Sequence, residues 1–301
     1  MTRLRIEVPA TTANLGPGFD ALGLALDLLD TIDVELGGEE IVLASTTADV
    51  PDLDPYRNLF CDSYCRWGTH FGVTLPGARF TVESRIPVAR GLGSSASCIV
   101  AGLAAAAWVC GRGDARDDVL TLASLIESHP DNAVAAVLGG LTAGFCDGEN
   151  IHAIQVRASL PLDVVLFIPD RPLLTAEARA SLPDAIPLRD AVFNISRAAY
   201  MVAALAAERW DALGAAMEDR LHQPYRLRHV PALNDIITAA GETGALGAAL
   251  SGGGPSVLAF VPPERSEGVA RAMEEEARRS CSPGRSLRTK VRGTGYSIVE
   301  I

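Results

Sequence analysis

The chain has 301 residues, of which 48% are apolar and 21% charged, and this composition excludes a disordered or collagen-like protein. Its 37 acidic and 26 basic residues give a net charge of −11, which argues against nucleic acid or an anionic membrane as the main partner. The start lacks a signal-peptide core and the apolar run at 99–110 is too short to span a membrane, so we expect a cytoplasmic protein. The six cysteines form no CxxC pair and are expected to be buried, reduced thiols.

The first half is predicted to mix strands and helices around two glycine-rich loops. Alternating polar and apolar residues predict the strands, and runs of strong helix formers predict the helices. The first glycine-rich loop is predicted at 12–26, and the second leads into a buried helix. The predicted elements are strands at 4–11 and 31–38, a helix at 59–72, a strand at 78–89, helices at 95–110 and 117–129, and a helix followed by a strand within 130–145.

A second section is predicted from about residue 160, with no long linker and no internal repeat. Thr175 is a candidate N-cap for its first helix. Such an order of elements favours an α+β half with a small antiparallel sheet backed by helices. The predicted elements are a strand at 162–169, a short helix at 175–183, one or two long helices within 188–219, a helix at 233–244, two strands around a glycine loop within 245–262, a helix at 264–280 and a strand at 294–301.

The stretch GLGSSAS, at 91–97, has the glycines and serines of a loop that binds an anion. It lacks the GK[ST] ending of a Walker A loop. Gly91, Gly93 and Ala96 fit the dinucleotide fingerprint, with Asp114 at a suitable distance, but the strand that this fold requires between helix and acid is missing. Two interpretations remain: a triphosphate cradle at the head of a helix, and a tight turn before a closely packed helix.

Two further motifs resolve this ambiguity. PATTANLGPGFDALGLAL near the start, IPVARGLGSSAS in the middle and ALGAALSGGGPSVLAF near the end resemble, in order and spacing, the three motifs of the GHMP small-molecule kinases. HPDN, DAVFNISRAA and DRLHQPYR are similar to segments of the homoserine kinases within that family. The resemblance extends from residue 6 to about residue 260. It implies an α+β, two-part fold, with a ribosomal-S5-like ATP-binding half at 1–155 that contains a left-handed βαβ unit, a ferredoxin-like half at 156–301, and an active site between them.

The resemblance also implies ATP and Mg²⁺ as ligands. Asn58 corresponds to the start of the family's adenine pocket, and Ser95 and Glu127 correspond to its metal ligands. The loop residues implied to surround the phosphates are Pro87, Val88, Ala89, Arg90, Gly91, Leu92, Gly93, Ser94, Ser95, Ala96 and Ser97.

The implied substrate is L-homoserine, a zwitterion with a primary hydroxyl. Its carboxylate needs a cation, its ammonium needs an acceptor, and its hydroxyl must be aimed at the γ-phosphorus. The resemblance assigns the carboxylate to Arg179 and Arg226 and the ammonium to Asp20 with Asn14, while spacing alone does not choose between Arg226 and Arg228. The implied substrate-binding residues are Asn14, Asp20, Thr175, Arg179 and Arg226.

For the chemical step, Asn132 is expected to orient the hydroxyl. Asp131, next to it, is a candidate base, and whether a base is used stays open because phosphoryl transfer passes through a loose transition state. His129 is expected to orient the loop by hydrogen bonding.

The function expected from this resemblance is ATP-dependent phosphorylation of homoserine, a step of threonine biosynthesis. The alternative is a GHMP kinase for another hydroxy amino acid or small alcohol. A nucleotide-binding regulator without activity is disfavoured because Ser95, Glu127 and Asn132 are all retained. Edge strands in both halves would permit a homodimer.

Overall fold

The computed structural model describes residues 2–47, 54–113 and 115–301, and the side chains of all of these except 54–58. The described residues contain eleven strands and ten α-helices. The strands are β1 (Thr2–Ala13), β2 (Leu22–Leu36), β3 (Ile41–Thr46), β4 (Ala78–Glu83), β5 (Leu141–Asp147), β6 (Asn150–Arg157), β7 (Asp163–Pro169), β8 (Gly247–Leu250), β9 (Val257–Val261), β10 (Gly284–Lys290) and β11 (Ser297–Glu300).

The helices occur singly or in runs between the strands, and they pack on both sheets. Single 3₁₀ turns lie at Trp210–Ala212 and Pro263–Arg265. The α-helices are α1 (Asp54–Phe71), α2 (Ser94–Val109), α3 (Arg116–Glu127), α4 (Asp131–Leu138), α5 (Thr175–Arg179), α6 (Leu188–Ala206), α7 (Leu213–Ala216), α8 (Gln223–Arg226), α9 (Leu233–Thr243) and α10 (Ser266–Arg279).

The strands form two sheets. The first has the order β11-β1-β2-β4-β3, with β5 on β2 and β6 on β5, and its pairs are antiparallel except the parallel pair β3–β4, which α1 connects. The second has the order β10-β7-β9-β8 and is antiparallel throughout. The predicted α+β class and the small antiparallel sheet of the second half are therefore confirmed.

The last strand crosses between the two predicted halves. β11 pairs with β1, with Ile298 opposite Ile6, so the end of the segment predicted as 156–301 completes the first sheet. The edge of β1 is thereby covered, which removes a row of unpaired backbone groups.

Three apolar clusters hold these layers together. One lies between the first sheet and its helices and includes Phe60, Trp67 and Phe80. Another lies between the second sheet and helices α9 and α10. The middle cluster takes residues from both halves, among them Leu92 and Leu213, so burial of apolar surface fixes the two halves to each other beside the glycine loops.

Several predicted elements differ from the observed ones. The loop predicted at 12–26 is shorter, because β1 continues to Ala13 and β2 already begins at Leu22. Gly23 lies within β2, and its lack of a side chain lets α4 approach the strand, since a Cβ there would be 2.2 Å from the Asp131 carbonyl oxygen. Strands β3, β6 and β10 were not predicted. Thr175 is the first residue of α5 and not its cap, a position that Leu174 occupies.

The prediction for the cysteines is also corrected. Among the described residues none of the six forms a disulfide, but Cys65, Cys146 and Cys281 are exposed, and Cys98 in the buried helix α2 is the one that is classed as buried. The described helices include none that is both long and apolar enough to cross a membrane.

Candidate active site

Three glycine-rich loops, one from each end of the chain and one from the middle, border a single cavity of about 270 Å³. We name them loop 1 (14–21, between β1 and β2), loop 2 (87–93, before α2) and loop 3 (251–256, between β8 and β9). Loops 1 and 2 belong to the first half and loop 3 to the second, so the cavity lies where the halves meet.

Loops 2 and 3 are in direct contact at Gly91. The Ser251 hydroxyl donates to the Gly91 carbonyl at 2.6 Å. Gly91 has a φ of 71°, and a Cβ on it would lie 2.3 Å from the Ser251 carbonyl oxygen and 2.8 Å from that of Gly254. Both the left-handed backbone and the close approach therefore require glycine at this position.

The N-terminus of α2 faces the same cavity. Gly93 precedes the helix in the left-handed conformation, and this terminus has no side-chain capping hydrogen bond among the described residues. Such N–H groups and the helix dipole favour an anion. We call the lining residues Gly91, Gly93, Ser94 and Ser95 the backbone wall.

The two predicted metal ligands meet at this wall. Glu127, at the end of α3, lines the cavity and accepts a hydrogen bond from Ser95. Burial raises the pKa of the Glu127 carboxyl, and the charge of His129 and the Ser95 hydrogen bond offset part of the shift.

Five of the predicted phosphate-loop residues do not line this cavity. Ala96 lies in the apolar core, and the buried Ser97 hydroxyl donates to Asp30 at 3.0 Å. The Arg90 guanidinium donates to backbone carbonyl groups, including that of Pro169 at 2.8 Å. Pro87, Val88 and Arg90 border a different cavity of about 470 Å³. The side chain of Asn58 lies outside the described residues.

A second wall of the cavity carries charge. Arg179, at the end of α5, donates through both terminal nitrogens to the two carboxylate oxygens of Asp20, at 2.8 and 3.0 Å. Both side chains are partly exposed. The hydrogen bond to Asp20 raises the pKa of Arg179. We call Asp20, Arg179 and Arg226 the charged wall.

Arg226, in α8, is the buried member of this wall, with 2% of its surface exposed. Its Nη1 donates to His222 Nδ1 at 2.9 Å and to the Gly252 carbonyl at 3.1 Å, and its Nε has no partner among the described residues. Burial and the nearby Arg179 lower the pKa of Arg226 to about 10, so it remains a cation at neutral pH. Arg226 is therefore a buried charge whose hydrogen bonds go to neutral acceptors.

An aromatic ring supports both arginines. The guanidinium carbons of Arg179 and Arg226 lie 5.5 and 5.4 Å from the centroid of Phe19, a cation–π distance. Arg228, which spacing left as an alternative, is exposed and directs its guanidinium to His229 and the Ala180 carbonyl. Arg226 is thus the one of the two that lines the cavity.

The HPDN segment brings Asp131 and Asn132 into the cavity between the two walls. The Thr11 hydroxyl donates to Asn132 Oδ1 at 2.8 Å, and the Asn132 backbone N–H donates to Asp131 Oδ1 at 2.7 Å. His129 Nδ1 lies 2.8 Å from the same Asp131 oxygen. Burial lowers the pKa of His129, but its hydrogen bond to Asp131 and the surrounding carboxylates outweigh this and raise it to about 8. His129 thus hydrogen-bonds within its own loop, and its role in orienting that loop stays a prediction.

Asn14 and Thr175 complete the predicted set. Asn14 is buried, and its amide bridges two loops: Nδ2 donates to the Gly252 carbonyl at 2.9 Å and Oδ1 accepts from the Asp20 N–H at 3.0 Å. Thr175 is exposed and lines the cavity near Arg179.

Some residues around the cavity were missed by sequence reasoning. Thr11, Phe19, His222 and Gly252 lie within or beside the quoted motifs, but their partners are distant in sequence. A second group of possible metal ligands was also missed: oxygen and nitrogen atoms of Asp20, His129 and Asp131 lie within 4.8 Å of one another.

Comparison with known proteins agrees with this arrangement. The family profile "GHMP kinases N terminal domain" matches residues 58–140, and "GHMP kinases C terminal" matches 201–279. A homoserine kinase from Gloeobacter violaceus is 41% identical over 282 residues, covering 92% of this chain and 93% of that protein. One from Caldanaerobacter subterraneus subsp. tengcongensis is 36% identical over 298 residues, covering 99% and 96%. The chain belongs to the homoserine kinase family of GHMP kinases.

The crystal structure of a homoserine kinase from Cytophaga hutchinsonii has the same fold, with a TM-score of 0.89 at 27% identity, and the match covers 99% of this chain and 97% of that one. The predicted family is therefore confirmed. As a GHMP kinase, the chain is a small-molecule kinase, and ATP is the phosphoryl donor that this family implies.

Proposed function

We propose that this member of the homoserine kinase family transfers the γ-phosphoryl group of ATP to the side-chain hydroxyl of L-homoserine, forming O-phospho-L-homoserine for threonine biosynthesis. The observation that carries the proposal is Arg226, a buried cation with neutral hydrogen-bond partners, whose Nε has no partner among the residues that the structure describes. It borders the same cavity as the start of α2. A buried guanidinium of this kind is suited to a carboxylate, which satisfies its charge and its remaining donors together.

The charged wall suits a zwitterion. Asp20 and Arg179 already pair with each other, and a pair so accessible to water contributes only about 0–1 kcal/mol. An amino acid offers one charge of each sign, so it can replace that pair by placing its ammonium at Asp20 and its carboxylate between the two arginines. A neutral sugar has neither of these charged groups, and an isoprenoid acid such as mevalonate has a carboxylate but no ammonium.

The backbone wall suits the phosphates of ATP. Its N–H groups at the start of α2 supply fixed partial positive charge at no cost in reorganisation. For residues 87–97 we therefore propose phosphate binding mainly through the backbone from Gly91 to Ser95, with the flanking residues holding the loop in place.

Ser95 and Glu127 fit Mg²⁺, because both offer oxygen atoms, they touch each other, and they lie beside the phosphate site. When bound there, the ion would neutralise charge that develops on the phosphates. Asp20, His129 and Asp131 fit it less well, since the proton of His129 Nδ1 is held against Asp131 and Asp20 is paired with Arg179.

Asn132 is proposed to orient the substrate hydroxyl. Thr11 and Asp131 hold its amide and its backbone, so its orientation is set before substrate binds. Because phosphoryl transfer passes through a loose transition state, positioning and charge neutralisation supply most of the rate. Asp131 is then proposed to position Asn132 and His129, with proton acceptance as its alternative role.

An ADP-release assay with Mg²⁺ tests the proposal. Homoserine, threonine, serine, mevalonate and galactose are compared at equal concentration, and we expect homoserine to give the highest kcat/KM. No homoserine-dependent ADP release, or a higher kcat/KM for another alcohol, would reject it. We further propose that the enzyme is cytoplasmic and that its partners are small molecules, not nucleic acid or a membrane. It can form a homodimer through an exposed edge strand such as β6, and sedimentation velocity measures this oligomeric state.

A further inference from the structure

One buried titratable side chain beside the cavity has no part in the chemistry proposed above. It is His222, the residue before α8, which is fully shielded from solvent. Both of its ring nitrogens have partners: Nδ1 lies 2.9 Å from Arg226 Nη1, and Nε2 lies 2.8 Å from the Gly16 carbonyl oxygen.

These partners define the state of the ring. A guanidinium can only donate, so His222 Nδ1 must accept, and a carbonyl can only accept, so Nε2 must carry the proton. The ring is therefore neutral with its hydrogen on Nε2. Burial lowers the pKa of His222, with the charge of Asp219 offsetting part of the shift, and this agrees with a neutral ring.

The face of the ring is used as well as its edge. His222 stacks on Phe19 with 5.3 Å between ring centroids, and Phe19 is the ring that lies beneath both arginines of the charged wall. His222 thus contacts Arg226 directly and also supports its aromatic platform.

The position of His222 is itself fixed by Asp219. The buried carboxylate of Asp219 accepts hydrogen bonds from three consecutive backbone N–H groups, at 221–223, over 2.7–3.1 Å. It also accepts from the Asn194 amide at 2.6 Å, and the same amide donates to the Pro17 carbonyl of loop 1 at 3.3 Å. The turn that carries His222 is therefore linked to loop 1 by two contacts, one from the His222 ring and one through Asn194.

From this geometry we propose that His222 is a positioning residue for the amino-acid substrate, which orients the Arg226 guanidinium relative to loop 1 and hence relative to Asp20. By accepting from Nη1, the His222 ring fixes the orientation of the guanidinium, whose buried Nε has no partner among the described residues. The inference rests on the proposed function in taking an amino-acid carboxylate as the ligand of Arg226.

Two substitutions separate the hydrogen bonds of the ring from its volume. His222→Phe keeps a ring against Phe19 and removes both hydrogen bonds, whereas His222→Gln keeps one acceptor and one donor on an amide. For His222→Phe we expect the KM for homoserine to rise by about tenfold to a hundredfold, as for loss of one hydrogen bond to a charged group, while kcat and the KM for ATP stay within about threefold. His222→Gln should restore most of the loss.

His229 provides the matched control, because it lies outside the cavity beside the exposed Arg228. His229→Phe should leave both KM values unchanged. A parallel rise in the KM for ATP and for homoserine, or equal loss in His222→Phe and His222→Gln, would overturn the proposal, since either result indicates a general structural role.

A measurement on the unmodified chain covers the case in which His222→Phe does not fold. A two-bond ¹H–¹⁵N spectrum at pH 7 should show His222 neutral and protonated at Nε2, and titration with homoserine should move its Nδ1 resonance. An imidazolium, an Nδ1–H tautomer, or a resonance that homoserine leaves unmoved while it is being phosphorylated would overturn the inference. If the unmodified chain releases no ADP with homoserine, the proposed function fails instead, and the tautomer still tests the geometry.

Discussion

The charged wall and the backbone wall border the same cavity but are built from different chemical groups. Side-chain charges of Asp20, Arg179 and Arg226 form the first, and each of them comes from a different element of the chain. Glycines and the start of one helix, all within 91–95, form the second. The charged wall can exchange its internal ion pair for the charges of a ligand, whereas the backbone wall offers N–H groups that the helix holds in fixed positions.

The largest effect is expected where the charged wall is broken at its buried member. Arg226→Ala should weaken homoserine binding by about 2–5 kcal/mol, the usual cost of removing one partner of a buried charge pair, and leave the KM for ATP nearly unchanged. Arg228→Ala is the matched control, since that arginine is exposed two residues away. The measurement is steady-state kinetics with each substrate varied in turn, and equal losses for both substrates would contradict two separate walls.

A substitution that distorts the backbone wall should weaken the binding of ATP rather than that of homoserine. Gly91→Ala adds a Cβ against two carbonyl oxygens in a left-handed conformation, so we expect it to lower the free energy of unfolding by about 3 kcal/mol and to raise the KM for ATP most. Gly111→Ala has a similar positive φ but open space around the new Cβ, and it isolates the conformational part of the effect. Urea unfolding measures both variants. Equal destabilisation by the two would mean that the contact with loop 3 is unimportant.

The junction of the walls is tested at Asn132. Asn132→Ala removes the amide that Thr11 and Asp131 hold in place, and kcat should fall by about a hundredfold, as for a misplaced reacting group. His129→Ala should retain much of the turnover. The reverse ranking in single-turnover measurements would refute the proposed role of Asn132 and point to His129 instead.

His129 also gives a pH dependence of stability. Its pKa is raised to about 8 in the folded protein, so its contribution is fully present below pH 6.5 and is lost as the pH rises through about 8. The difference in the free energy of unfolding between the unmodified chain and His129→Gln should shrink by about 2 kcal/mol over that range. A difference that does not change with pH would show that Asp131 does not hold His129 protonated.

The smallest effect is expected at the exposed member of the charged wall. Arg179 is partly accessible and paired with Asp20, so Arg179→Ala should raise the KM for homoserine by about tenfold or less. Comparison with Arg226→Ala in the same assay measures how burial changes the contribution of an arginine to homoserine binding. If Arg179→Ala had the larger effect, the exposed ion pair and not the buried cation would govern substrate binding.

The two walls also differ in how well they could be predicted. Loop 2 is one continuous stretch, so its glycines and the helix that follows were recognisable without tertiary information, as were the family and the α+β fold. The inward direction of Ser97 was not, because it depends on Asp30, 67 residues away. Likewise the sequence could not distinguish Arg226 from Arg228, because the two lie only two residues apart. They differ in burial, which only the folded structure shows.

Strand prediction failed for a related reason. Gly23 is a residue type typical of loops, yet it lies in β2. Glycine is needed there because α4 passes so close that a side chain would collide with it. β10 was missed because it is mostly polar, with no alternation of polar and apolar residues. It forms an edge strand that pairs with β7, where such alternation is not required.

The pairing of β11 with β1 has a consequence for biosynthesis. During translation β11, the strand that covers the edge of β1, emerges from the ribosome long after β1 and β2. Until then that edge presents unpaired backbone groups to any nascent chain nearby, which is the usual starting point for misassembly. The sheet that contains β1 is therefore completed only after β11 has been made, although most of its strands lie near the start of the sequence.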